Sequence, residues 1–159
     1  MTYSAACVAL TKRFEGCKLE AYPDPGTGAA PWTIGYGHTF GVRAGHIITQ
    51  EQADAWLEQD LQLAADVVSL WVRSPLTQPQ FDALVDFTYN LGPGLVGHRD
   101  GFVWLKNGGH STMLRMLNAG CYALAAEQFD RWRLPPLPGI ILRRHAERDL
   151  FLSGTKVQG

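Results

Sequence analysis

No apolar stretch in the 159 residues approaches the ~20 consecutive apolar positions that a membrane-crossing helix requires, which excludes an integral helical membrane protein. Charge of one sign is also scarce. The net charge of -1 gives no global attraction to nucleic acid or to an anionic surface, so nucleic-acid binding and stable membrane insertion are not expected. Cysteine is limited to Cys7, Cys17 and Cys121, without a CxxC pair, which excludes a disulfide framework and a zinc cluster. The odd count leaves at least one free thiol and suits a reducing cytoplasm, with small buried hydrophobes as the default role. There is no internal repeat. Met1 to Glu15 carries Lys12, Arg13 and Glu15 and has no usable signal-peptide core, so synthesis without an export signal is expected. Charge is uneven only near the end. Asp130 to Lys156 holds six basic and three acidic residues, +3 against -4 for the remainder, and reads as a solvated helix face.

What is present is ordinary globular composition, 46% hydrophobic and 18% charged, at a length that suits one domain. Ser4 can cap a first helix with Cys7, Leu10 and Phe14 at helical spacing and Gly16 as its stop. From Cys17 to Thr39 the strand formers Tyr22, Trp32, Thr33, Ile34 and Tyr36 alternate with glycines and prolines, which predicts a small bent antiparallel sheet. Thr49-Gln50-Glu51-Gln52 is a capping box opening a long helix with Ala53, Trp56, Leu57, Leu61, Ala64, Val68 and Trp71 inward, ending near Pro75. Thr77-Gln78-Pro79-Gln80 opens another, with Phe81, Leu84, Val85 and Thr88 on one face until Gly92. Residues 92–110 read as loop around the apolar knot Phe102-Val103-Trp104-Leu105. Ser111 caps a short helix to Asn118, a further helix runs from about Tyr122 to Trp132, and a last one spans roughly Ile140 to Leu152. The fold class is α+β: a mostly helical body with one small sheet near the start.

The chemistry concentrates in Phe14-Glu15-Gly16, Ala21-Tyr22-Pro23-Asp24 and Pro31-Trp32-Thr33-Ile34-Gly35-Tyr36-Gly37-His38-Thr39. Glu15 ends the first helix, Asp24 sits at the first sheet turn, and Thr33 lies in a strand. A helix end feeding a tight sheet can set two carboxyl groups on opposite walls of a cleft, as glycoside hydrolysis requires, with a hydroxyl to hold water. The residues alone also allow a surface acid at Glu15 and a turn former at Asp24.

This stretch resembles the signature of the phage-type (T4-like) lysozymes, glycoside hydrolase family 24, which runs Glu, Asp, Thr. Eight residues separate Glu15 from Asp24, and eight separate Asp24 from Thr33. The second gap is lengthened by the insert Gly-Thr-Gly-Ala-Ala-Pro over 26–31. The resemblance extends over nearly the whole chain: Thr33 to Thr39, Ile48 to Ala53 leading to Gln59-Asp60-Leu61, Gln80 to Val85 leading to Asn90-Leu91-Gly92, Ser111 to Leu114 with Leu117 to Gly120, and Arg143-Arg144 with Glu147. Residues 95–110 are longer, and 133–139 shorter, than the family's pattern.

The resemblance implies a lysozyme-like domain over 1–159. Its sheet-bearing lobe covers about 17–45, its connecting helix about 49–72, and its helical lobe about 1–16 with 75–159. It implies Glu15 as general acid, Asp24 as the ionised carboxylate that stabilises positive charge and helps activate water, and Thr33 as holder of that water, with inversion at the anomeric carbon. The substrate implied is the β-1,4 link between N-acetylmuramic acid and N-acetylglucosamine in bacterial peptidoglycan. No metal and no organic cofactor is implied. His38 is expected to pair with Asp60, and Arg143, or failing it Arg144, to contact Glu15. Asn90 either contacts sugar or caps its helix, Trp32 is open between the two roles, and Trp104 is expected to contact sugar. Trp56, Trp71 and Trp132 read as core. A lytic transglycosylase, or a non-catalytic wall-binding protein on the same scaffold, is the alternative, yet either leaves Asp24 and Thr33 without a required task. An endolysin is the expected biological role: a monomer held in the host cytoplasm, released through a holin pore, and acting on the wall from the periplasm.

Overall fold

The computed structural model describes residues 1–155, so Lys156 of the basic segment lies outside the described residues. The described chain forms six α-helices and a two-stranded sheet: α1 (Ala5–Glu15), β1 (Lys18–Tyr22), β2 (Thr33–Gly35), α2 (Gln50–Trp71), α3 (Gln78–Leu91), α4 (Thr112–Asn118), α5 (Tyr122–Gln128) and α6 (Pro138–Ser153), with a 3-10 turn over Phe129–Arg131. The mostly helical α+β class expected from the sequence is the class observed. Two compact units divide the chain. One is Thr11–Asp60; the other is Met1–Leu10 together with the chain from Leu61 onward.

In the Thr11–Asp60 unit, β1 and β2 pair antiparallel, with Lys18 opposite Gly35 and Tyr22 opposite Thr33. Five residues thus face three, and an irregularity in register takes up the difference. The 46–48 segment lies on the other edge of β1, where Ala21 N donates to His46 O at 2.9 Å and Ile48 N to Leu19 O at 2.9 Å. After β2 the chain reverses within Ile34–His38, closed by two 2.9 Å backbone bonds. Gly35 holds φ +63 there, and a Cβ on it would meet Ala53 Cβ at 3.5 Å, so the turn both needs a left-handed residue and packs against α2. The capping box at α2 forms as read: Thr49 N donates to Gln52 Oε1 at 3.0 Å and Gln52 N to Thr49 Oγ1 at 3.2 Å. Ile34, Ile48, Ala53 and Leu57 make the small core. This unit reaches beyond 17–45 because side chains tie the flanking helices to the sheet turn. Lys12 Nζ lies 2.8 Å from Asp54, and Gln50 Nε2 donates to Tyr36 Oη at 3.0 Å.

The larger unit is organised on α3, which packs on α6. The sequence predicts one apolar face for α3. The structure instead buries every residue from Gln80 to Thr88. Its acids tolerate enclosure because each is partnered: Asp82 accepts from Ser4 N at 2.9 Å, from Ser4 Oγ and from Gln78 Nε2 at 2.9 Å, and Asp86 accepts from Arg143. The 92–110 segment is closely packed: Phe102 and Val103 are fully buried, and a Cβ on Gly94 would stand 2.1 Å from Trp104 O. Ser111 Oγ caps α4 by accepting from Leu114 N at 3.1 Å. Two boundaries differ from the expectation. The α5 helix gives way to a 3-10 turn at Phe129, a usual way to end a helix, and α6 begins at Pro138 because proline is at home in a helix's first turn. The solvated-face reading of the basic segment also needs correction: Arg143 and Arg144 are 3% and 1% exposed.

Candidate active site

Glu15 is the last residue of α1, which stops because Gly16 follows in a left-handed conformation, φ +64. The chain then enters β1 and delivers Tyr22 opposite Thr33 across the sheet. Glu15, Tyr22, Asp24 and Thr33 are all half-buried and all belong to the Thr11–Asp60 unit. Tyr22 links two of the others. It lies opposite Thr33 across the sheet and within electrostatic reach of Glu15. Burial pushes the Tyr22 phenol up from its ordinary value, the Glu15 carboxylate adds to the push, and the Thr33 side chain opposes it. Lys18 Nζ sits over the Tyr22 ring, 4.7 Å from its centroid.

Asp24 stands two residues beyond Tyr22, at the mouth of the insert. Its Oδ1 accepts from Gly26 N at 2.8 Å and Thr27 N at 3.0 Å, while its backbone accepts from Gly28 N at 2.8 Å and its amide donates to Ala29 O at 3.0 Å. The insert over 26–31 is therefore a turn folded onto the carboxylate it follows. A side chain on Gly26 would come within 3.1 Å of Asp24 Oδ1. Both turn amides fall on one carboxylate oxygen.

His38 Nδ1 lies 2.8 Å from Asp60 Oδ2, and its Nε2 lies 3.0 Å from Phe40 O. The imidazole also stacks on Trp56 at 4.6 Å, with His46 edge-on to the same indole at 5.8 Å. That packing holds the turn after β2 against α2. Trp32 is half-buried directly before Thr33.

The remaining candidates lie in the larger unit. Arg143 Nε and Nη2 donate to Asp86 at 3.0 and 2.8 Å, with Glu147 Oε1 3.4 Å from Nε. Arg144 donates to both oxygens of Glu147, at 2.5 and 2.6 Å, to Trp132 O at 2.9 Å and to Asn90 Oδ1. Burial pushes the Glu147 carboxyl well up from its ordinary value; Arg144 draws it down and Asp86 pushes it further up. Asn90, Trp132 and Arg144 line a cavity of about 630 Å³. The helix end beside Asn90 is closed by Gly92 N donating to Thr88 O at 2.7 Å. Trp104 packs within a ring cluster, 4.3 Å from His110 and 5.3 Å from Trp71. Among the described residues no three His, Cys, Asp or Glu side chains gather as a metal site requires.

Tyr22 and Asp86 are among the cluster residues absent from the sequence-based candidates. Tyr22 stood inside the quoted motif but read only as a strand former; its register against Thr33 was the missing signal. Asp86 lies off the apolar face formed by Phe81, Leu84, Val85 and Thr88, and nothing local marks its partner 57 positions away.

Comparison with known proteins agrees with this architecture. The family model for phage lysozyme matches residues 12–147. The endolysin of Acyrthosiphon pisum secondary endosymbiont phage 1 is 37% identical over 160 residues, covering 96% of this chain and 99% of its own. The muramidase domain of SpmX from Asticaccaulis excentricus superposes with a TM-score of 0.77 at 37% identity, covering 95% of this chain and 97% of its own. A variant of the P22 lysozyme gives 0.74 at 35% identity, covering 96% and 99%. With the helix-to-sheet framework and a family match spanning most of its length, the chain belongs to the phage lysozyme family.

Proposed function

We propose that Glu15, Asp24 and Thr33 carry out hydrolysis of the β-1,4 bond between N-acetylmuramic acid and N-acetylglucosamine, with inversion at the anomeric carbon. The protein is a phage-lysozyme muramidase of the endolysin kind, and bacterial peptidoglycan is its substrate. In the proposed step the Glu15 carboxyl gives its proton to the glycosidic oxygen as the C–O bond breaks. Asp24 remains ionised, faces the developing oxocarbenium charge and draws a proton from the attacking water, which Thr33 Oγ1 holds. The observation that carries the reading is the grouping of Glu15, Tyr22 and Thr33 in one small unit, two residues from a carboxylate fixed by its own turn. Trp32, Asn90 and Trp104 are proposed to contact sugar. His38 and Asp60 are proposed to steady the sheet turn that follows Thr33.

Mass spectrometry of digested peptidoglycan tests the reaction. Reducing ends are expected; anhydro ends would mean a transglycosylase, and intact glycan a binding protein. NMR of the first product formed should show the inverted anomer, and the retained one would overturn the stereochemical assignment. Glu15→Gln should lower turnover by about 10²–10⁴-fold, the usual worth of a general acid. Endolysin action further implies a monomer that waits in the host cytoplasm for a holin pore; lysis in a host lacking the holin at the normal time would refute that dependence.

A further inference from the structure

The larger unit holds a second cavity, of about 450 Å³, lined by Trp71, Arg73, His110, Leu114, Arg115 and Asn118 with Ala119. None of the proposed catalytic residues lines it. Its aromatic wall is braced: Trp71 lies 5.4 Å from His110, and Trp104 packs behind both, edge-on to Trp71 and 4.3 Å from His110. The floor is tied as well. Asn118 accepts from Arg73 N at 2.7 Å and donates to Trp71 O at 3.0 Å, which fixes the end of α2 to the end of α4.

Two arginines stand at this cavity. Arg73 and Arg115 are exposed and both line it, and among the described residues neither meets a carboxylate. Arg115 is held by its own helix, donating from Nη2 to Thr112 Oγ1 at 3.1 Å. Two guanidinium groups at one opening repel each other unless an anion comes between them. In a chain of net charge -1 this is a local feature, not a general basicity.

We propose that this cavity is a second, non-catalytic binding site for an anionic saccharide of the cell wall. The sugar ring lies against the Trp71–His110 wall, and its carboxylate or phosphate sits between Arg73 and Arg115. Guanidinium groups suit both anions, since each accepts two parallel N–H bonds. A volume of this size accommodates a mono- or disaccharide. Such a site would keep the enzyme on an insoluble polymer between cuts. It does not depend on the roles given to Glu15, Asp24 and Thr33.

The test uses the full chain carrying Glu15→Gln, observed by NMR at the Trp71 indole N–H and the His110 ring. Three probes are titrated: N-acetylmuramic acid for the carboxylate source, N-acetylglucosamine 1-phosphate for the phosphate source, and neutral chitotriose. At least one anionic probe should move these signals, and which one does so identifies the source of the anion. The Arg73→Ala/Arg115→Ala variant should bind that probe more weakly by at least about tenfold, since charge-assisted bonds to two guanidinium groups are lost. With Glu15 restored, the same double variant should hydrolyse a soluble glycan within twofold of the parent yet be retained less on insoluble wall fragments. The proposal is overturned if neither anion moves the two signals, if chitotriose moves them as strongly, or if the double variant matches the parent in anion binding and wall retention.

Discussion

Replacing Asp86 by alanine removes two bonds, of 3.0 and 2.8 Å, from an Arg143 guanidinium that is 3% exposed. The helix itself should survive, because alanine favours α3 and the substitution leaves its backbone ladder untouched. The cost is electrostatic. Removing one member of a buried ion pair costs about 3–5 kcal/mol, mostly because the other charge stays enclosed without compensation. Two features of the cluster place the expected loss at the lower end of that range. Glu147 Oε1 already stands 3.4 Å from Arg143 Nε and can take up part of its charge. The carboxyl of Glu147 is also pushed up in part by Asp86, so removing Asp86 eases its ionisation. The expected loss is therefore about 3 kcal/mol, and at ~2–4 °C per kcal/mol for a domain of this size Tm should drop by about 6–12 °C. Circular dichroism during heating, with urea unfolding as the second measure, reads it directly. Asp86→Asn keeps the shape and one acceptor oxygen and should lose less. Asp86→Leu combined with Arg143→Met should regain most of the stability, since a packed apolar pair replaces a matched buried one at little cost. A Tm change below ~2 °C for Asp86→Ala, or a double variant no better than the single, would refute the buried-charge reasoning.

Tyr22→Phe removes the phenol that stands beside Thr33 and within electrostatic reach of Glu15 while keeping the strand, so stability should change by no more than about 1 kcal/mol. The variant should also turn over more slowly with KM little changed; wild-type kcat would separate Tyr22 from the chemistry. Asp54→Asn removes the exposed Lys12 pair, whose Asp54 carboxyl is lowered and whose Lys12 ammonium is raised chiefly by their mutual hydrogen bond. A lowered Asp54 stabilises above the unfolded value of 3.8 and loses that contribution as pH falls through its folded value; a raised Lys12 stabilises below 10.5 and loses its contribution as pH climbs through its own. Urea midpoints of parent and variant should therefore differ slightly near neutrality and converge below pH 3.8 and well above 10.5, and a gap that persists at both extremes would contradict the pairing.

Features settled by short stretches of chain were legible in the sequence. Thr49 with Gln52 and Ser111 with Leu114 N are contacts three positions apart, so residue type and spacing nearly determine them. Gly16 as the stop of α1 is a similar case. The catalytic candidates Glu15, Asp24 and Thr33 came from the resemblance to the phage-type lysozyme signature, a motif held within nineteen consecutive residues. Register was harder. Placing Tyr22 against Thr33 requires knowing that five residues of β1 face three of β2, and alternation of strand formers does not report an irregularity of that kind. The buried polar cluster was beyond local reading altogether. Asp82 and Asp86 look like the wet side of an amphipathic helix, and only Ser4, 78 positions before Asp82, and Arg143, 57 positions beyond Asp86, make their burial tolerable. Hydrophobic periodicity assumes that an acid seeks water, and that assumption fails wherever a distant arginine can take water's place. Hence the two kinds of residue divide by range. The groups proposed for chemistry come from one short segment whose turns fix them locally. The α3–α6 core depends on charges that meet only after the chain has folded, so substitutions at Asp86 or Arg143 should report on stability first.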